Sequence, residues 1–248
     1  MACAEWAPAG SRIAARRSRR EAMTAYQINS SGFRIVEAVV SAEECDALVQ
    51  SLSNPQVSRG RAGARHLMVV PEIARLACDE RLKDIARREL KAEPFPFRVT
   101  LFEKSGKANW LVVWHQDTAL PLKARFEDNG WGPWSEKAGV AYAHAPAWAL
   151  SRVWALRVHL DASTMDNGPL RVVPHSHRLG VLTDDEIARV VREQGFIDCL
   201  VAKGGILTMS PLLVHSSSKA RIDAPRRVLH IEYADSQSLG PGIELAVA

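Results

Sequence analysis

The spacing of apolar residues changes once along the chain. Up to about residue 91 they recur mainly at helical intervals, and from Phe95 onward mainly at every second position. GFRIVEAVV (32–40) alternates like a strand. Ser41, followed by Glu44, predicts a capping box that opens a helix with Cys45, Leu48, Val49 and Leu52 on one face. A polar Gly/Arg loop (58–65) precedes Pro71 at the start of a second helical stretch. Asp79 then caps a third, with Leu82, Ile85, Ala86 and Leu90 in register. Helices are therefore expected at 41–53 and 71–91.

Beyond Phe95, the segments FPFRVTLFEK, NWLVVWHQD, RVWALRVHLD, PLRVVP, FIDCLVA, GILTMSPLLVH and RRVLHIEYA read as short strands. Asp166-Asn167-Gly168 predicts a hairpin between two of them, and Gly204-Gly205 another tight turn. Thr183 with Glu186 caps one inserted helix carrying Ile187, Val190 and Val191. The stretch 118–150 fits neither period, and its length and its Trp131 and Trp134 mark it as an ordered functional loop. The expected class is mainly β with flanking helices, a double-stranded β-helix (jelly roll, cupin-like) with strands from about 95 to 235, because closure protects strand edges.

With 47% hydrophobic and 24% charged residues, the 248-residue chain can bury a full core, which excludes a disordered protein. Residues 1–22 hold five arginines against Glu5 and Glu21, so most of the formal charge of +4 belongs to this segment. It reads as a disordered or mis-started tail, with an organelle presequence as the rival, and residues 23–248 read as one domain. The remainder carries no basic groove, so no nucleic acid partner is expected. No apolar run reaches the length of a membrane span and no secretory signal is seen, so a soluble, cytoplasmic protein is expected. Cys3, Cys45, Cys78 and Cys199 show no CxxC pair and read as reduced thiols.

His115 and Asp117, two apart at the end of WLVVWHQD, should share a strand face with Leu111 and Val113 and could share one metal ion. His159 and Asp161 repeat the spacing, so one pair is structural. His215, ending PLLVH, is the best third ligand. Two histidines and a carboxylate on one octahedral face suit Fe(II) activating O2 better than tetrahedral zinc. His175 and His177 form a further pair, more consistent with a hydrogen-bonded turn. Eleven residues past His215 comes Arg226, a fork suited to a carboxylate; alternation puts Arg227 with Leu229, Ile231 and Tyr233, and Arg226 with His230 and Glu232. The polar face should line the cavity, which favours Arg226. In 118–150, Trp131 and Trp134 could shield the site as a lid or merely pin the loop. Lys123, Arg125 and His144 could meet an anionic group on the substrate.

The chain resembles the phytanoyl-CoA dioxygenase (PhyH-like) family of Fe(II)- and 2-oxoglutarate-dependent oxygenases over about residues 30–235. The resemblance rests on GFRIVEAVVSAEECDAL, NWLVVWHQD, DNGPLRVVPHSHRLG and the closing spacing from His215 to Arg226. It implies iron ligands at His115, Asp117 and His215, and 2-oxoglutarate held by Arg226 with Ser217, with Gln116 and Thr100 as further contacts. His159 and Asp161 then fall on the strand before the DNG turn. The implied reaction hydroxylates a C–H bond of a small organic substrate, releasing succinate and CO2; related halogenases lack the carboxylate that Asp117 supplies. One departure is His175, where the family more often has glycine. A non-catalytic metal- or ligand-binding jelly roll, and an isomerase or hydrolase using the metal as a Lewis acid, are the competing readings.

Overall fold

A computed structural model describes residues 31–53, 57, 59, 60, 63–105, 109–127 and 130–248, so the Arg-rich segment 1–22 and Cys3 lie outside it. In chain order the strands are β1 (Phe33–Val36), β2 (Arg59–Gly60), β3 (Gly63–Ala64), β4 (Phe95–Lys104), β5 (Val112–His115), β6 (Ala119–Leu122), β7 (Trp134–Lys137) and β8 (Val140–His144). They continue with β9 (Val153–His159), β10 (Leu170–Val172), β11 (Ile197–Cys199), β12 (Ile206–Met209), β13 (His215–Ser217), β14 (Arg226–Ala234), β15 (Ser238–Gly240) and β16 (Ile243–Glu244). The helices are α1 (Ala42–Leu52), α2 (Pro71–Ala77), α3 (Glu80–Leu90), α4 (Ala147–Leu150) and α5 (Asp184–Gln194).

The architecture is the expected jelly roll. Its larger antiparallel sheet runs β1-β12-β9-β14-β4-β3-β2 and its smaller one β11-β10-β13-β5. The capping box at Ser41 is present, and Asp79 accepts the backbone N–H of Arg81, so both caps satisfy amides that the first helical turn leaves free. The expected 71–91 region is broken into α2 and α3 at Cys78 and Asp79. These three helices cover the outer face of the larger sheet, where Leu156, Val158, Leu229, Ile231 and Tyr233 meet Cys45, Ile73 and Leu82. Each such large apolar side chain contributes roughly 1.5–3 kcal/mol by leaving water. Tyr233 also spends its hydroxyl on the Ala77 carbonyl at 2.9 Å. Alternation then sends the other face of β14 (Arg226, His230, Glu232) between the sheets, as its sequence predicts.

Asp166-Asn167-Gly168 does not close a hairpin. The strands on either side, β9 and β10, belong to different sheets, so the turn is a corner between layers. Asn167 stabilises it by accepting from the Thr164 amide and donating to the Ala162 carbonyl, both at 2.8 Å. Gly204 forms the expected tight turn at a φ of 78°; a Cβ there would strike the Val40 carbonyl.

The stretch 118–150 is more regular than its sequence suggests. It contains a three-stranded sheet, β6-β8-β7, in which β7 and β8 are joined through Ala138 and Gly139, both at positive φ. Pro121, Gly132 and Pro133 interrupt the alternation that would have revealed it. Part of the polar 58–65 loop similarly adds the short β2–β3 hairpin to the edge of the larger sheet. Cys45, Cys78 and Cys199 are free thiols. Among the described residues, no helix is long and apolar enough to cross a membrane.

Candidate metal centre

The pairing of β5 with β13 sets His115 directly opposite His215. The His115 and His215 ring centroids are 4.2 Å apart. Asp117 follows two residues after His115, its backbone N–H fixed by the Pro211 carbonyl at 2.9 Å. One ligand atom from each of the three residues lies within 4.8 Å of the others. The Asp117 carboxylate stands 3.6 Å from His115 Nε2 and 3.5 Å from His215 Nε2. These separations are too long for good hydrogen bonds and suit donors that share an ion.

Each imidazole has Nδ1 2.8 Å from a carbonyl two residues before it, Val113 for His115 and Leu213 for His215. Donation by Nδ1–H selects the tautomer whose Nε2 lone pair faces Asp117. Burial lowers the His215 pKa to about 4, keeping it a neutral donor. Burial also opposes the charged form of His115, but the adjoining Asp117 outweighs it and raises the pKa. For Asp117, burial alone would raise the pKa; the surrounding imidazoles, His215 first, hold it well below the usual carboxylate range.

Leu111 and Val113 do not line up behind His115. Both are exposed, because the β5–β13 register shifts between His215 and Ser217 and breaks the strict alternation on which that expectation rested. His159 and Asp161 sit away from the cluster. His159 is buried against the Arg157 carbonyl with its pKa down to about 3 through burial, and Asp161 takes Arg227 bidentately at 2.7 and 2.8 Å. Arg227 is thereby an ion-pair partner, while Arg226 turns inward. His175 caps a 3-10 turn at a φ of 67°, which explains why glycine suits this position. The His177 ring lies against Gly32.

Arg226 is almost fully buried. Its Nη2 donates to Ser217 Oγ at 3.3 Å, whereas its Nε and Nη1 have no partner among the described residues. Burial, with Arg157 nearby, lowers its pKa, yet a guanidinium stays charged at neutral pH. Lys104 lies opposite Arg226 on β4, equally buried, and reaches Ser217 Oγ at 2.8 Å and the Ser218 carbonyl. Sequence alternation alone does not distinguish this lysine, because one Lys at a strand end reads as solvated. Ser217 in turn donates to the Gly168 carbonyl at 2.8 Å. Gly168 has a φ of 69°, and a Cβ there would press on Ser218 and Lys104, so the DNG corner must end in glycine to close over this pocket. Two buried cations, a hydroxyl and orphaned N–H groups, with no carboxylate among them, fit the far carboxylate of a dicarboxylate.

Gln116 gives both amide hydrogens to backbone carbonyls of Gly180 (2.8 Å) and Leu212 (2.6 Å) and accepts from the Leu182 amide at 2.8 Å. It thereby ties the chain between His115 and Asp117 to the loop before α5, and it also lines the cavity beside them. Thr100 faces the cavity beside the cluster, opposite His230 in the β4–β14 ladder. His230, to which alternation from Arg226 leads, also belongs to the site. Its Nε2 lies 4.0 Å from Asp117, and its Nδ1 meets Arg157 at 3.0 Å. Burial, with Arg157 adding to it, holds its pKa well below the ordinary value.

Trp131 is buried with Leu120, Leu150 and Phe126, and neither it nor Trp134 lines the cavity. The tryptophans pin the insertion; Lys137 and His144 of the same insertion form the cavity wall. Lys123 is tied to Glu244 at 2.6 Å and Arg125 lies 5.9 Å over the Trp134 ring, so of the three expected anion contacts only His144 reaches the cavity.

The profile of the phytanoyl-CoA dioxygenase (PhyH) family matches residues 28–228. The ectoine dioxygenase of Sphingopyxis alaskensis is 27% identical over 196 residues, which are 71% of this chain and 57% of that protein. The chain thus spans a little over half the length of this curated relative. Among solved structures, apo EctD from S. alaskensis superposes with a TM-score of 0.62 at 23% identity, over 83% of this chain and 73% of that one. AviO1 from Streptomyces viridochromogenes Tue57 gives 0.61 at 22%, over 86% and 94%. HygX from Streptomyces hygroscopicus, solved with nickel and 2-oxoglutarate bound, gives 0.59 at 17%, over 89% and 94%. These likenesses establish a shared fold.

Proposed function

The chain belongs to the phytanoyl-CoA dioxygenase family, and on that footing we propose that it is an Fe(II)- and 2-oxoglutarate-dependent dioxygenase that hydroxylates a C–H bond of a small organic substrate. The observation that carries this reading is a pairing of two sites. A two-histidine, one-carboxylate cluster opens onto a cavity, and a buried Arg226 with unsatisfied N–H groups sits beside Ser217, two residues beyond the ligand His215. A stand-alone zinc or structural site has no use for the second feature.

With iron(II) and 2-oxoglutarate bound, the site would supply O2 activation: one oxygen atom goes to succinate as CO2 leaves, and the other enters the substrate C–H bond. The protein's part is placement. His115 and His215 are oriented by their own strands before any metal arrives, and Asp117 adds the negative charge that favours a divalent cation. Arg226, Lys104 and Ser217 would hold the far carboxylate of 2-oxoglutarate, while Phe102 and Thr100 wall the space in which a substrate carbon can be held.

The test is succinate formation by the purified protein with ferrous iron, 2-oxoglutarate and O2. Slow succinate release without added substrate is expected from the wild type and should vanish in Asp117→Ala. Absence of any release from iron-loaded wild type overturns the reading.

A further inference from the structure

The cavity over the metal cluster has a volume of about 300 Å3, and its rim is unbalanced in charge. Arg65, Arg98 and Lys137 line it, against one carboxylate, Asp117, which belongs to the cluster. Arg98 is neutralised by Glu232 and also donates to the Ala119 carbonyl. Arg65 and Lys137 form no ion pair with any described carboxylate. Both come from parts of the chain added to the jelly roll, Arg65 just after β3 and Lys137 at the end of β7.

One ring holds Lys137 directly and Arg65 through its neighbour His66. Tyr142, fully buried on β8, carries the Lys137 ammonium 4.6 Å from its centroid and the Arg98 guanidinium at 5.6 Å. Its hydroxyl lies 3.0 Å from His66 Nε2, and the two rings stack at 6.2 Å. His66 adopts a left-handed φ of 58°, a conformation costly for a side chain of its size, directly after Arg65. Burial lowers the Lys137 pKa, and Arg65 and Arg98 lower it further, so the cations feel one another across the rim. Like charges gathered on one rim repel, and an anion between them relieves the repulsion.

We propose that Arg65 and Lys137 form a subsite for an oxyanion of the substrate, a carboxylate or phosphate ester, whose reacting carbon lies between this subsite and His115, Asp117 and His215. The proposal rests on the oxygenase reading for its reaction but not for its binding chemistry, and the test separates the two.

In the first arm, small carboxylates, phosphate monoesters and their neutral amides or parent alcohols are compared for stimulation of succinate formation, with product mass read alongside. Stimulation confined to the anions is expected, the two acid classes telling carboxylate from phosphate, and Arg65→Gln and Lys137→Gln should each raise KM for the best anion by about tenfold. Arg65→Lys should recover part of this, and the surface control Arg75→Gln should change nothing. Equal stimulation by the neutral partners, or an unmoved KM in both variants, overturns the proposal. In the second arm, acetate and inorganic phosphate are titrated into protein loaded with nickel and 2-oxoglutarate, which occupies the inner carboxylate site. Binding weakened about tenfold or more in the Arg65→Gln, Lys137→Gln double variant supports the subsite, and equal binding overturns it. If succinate is never formed yet this difference appears, the oxygenase reading fails and the subsite stands.

Discussion

Affinity for 2-oxoglutarate should depend on pH through Lys104. In the free protein its ammonium is bonded to Ser217 Oγ and the Ser218 carbonyl and lies 5.5 Å from the Trp110 ring. Burial lowers its pKa from the ordinary 10.5 to about 7, and the positive charges of Arg226, Arg171 and Arg157 on β14, β10 and β9 lower it further. A bound carboxylate restores the charge, so binding takes up a proton wherever the free lysine is neutral. Below about pH 7 the lysine is already protonated and affinity should be flat. Above it, each pH unit should raise Kd by about tenfold until the pKa of the bound state is reached. From about pH 6 to about pH 8 the loss is about tenfold, or about 1.4 kcal/mol. Calorimetric titration of anaerobic, iron-loaded protein in buffers of differing ionisation enthalpy reads both Kd and proton uptake, which should approach about one proton near pH 8. Lys104→Met cannot titrate and should bind more weakly at every pH with no slope. A flat wild-type Kd across this range, or a slope that survives in Lys104→Met, refutes the reasoning.

Asp117→Ala should lose iron, measured as metal content, and all succinate formation, while its melting temperature in metal-free buffer stays near that of the wild type. Arg226→Ala should raise the KM for 2-oxoglutarate by about 10- to 200-fold for the loss of roughly 1.5–3 kcal/mol of charged hydrogen bonding. Arg227→Ala should leave that KM alone and cost about 1 kcal/mol of stability in denaturant unfolding, through its half-buried pair with Asp161. Trp131→Ala removes a buried anchor and should cost about 3 kcal/mol in the same assay. Its ratio of product to succinate should match the wild type, and a selective fall in that ratio at normal stability would return the tryptophans to the role of lid.

Much of this protein is written in local pattern. Caps at Ser41, Asp79 and Thr183 need only neighbouring residues to satisfy helical amides, and each is found where its sequence puts it. The alternation of β14 separates Leu229, Ile231 and Tyr233 from Arg226 and His230 because a pleated strand has only two faces, and burial assigns them. Other features depend on contacts between distant segments. The DNG turn has the chemistry of a hairpin, and only the choice of sheet by β9 and β10 makes it a corner. Bulging of β5 against β13 removes Leu111 and Val113 from the face of His115, and nothing within β5 announces it. Lys104 reads alone as a solvated charge and becomes a buried partner of Ser217 and Arg226 once β4 pairs with β14. Arg65 and Lys137, 72 positions apart, meet at one rim only because Tyr142 and His66 join the two additions to the barrel. Local hydrogen bonding and strand periodicity act within a few residues, so the sequence alone determines the helix caps and the two faces of an unbroken strand such as β14. The charge environment of a cavity is set by side chains that only tertiary pairing brings together.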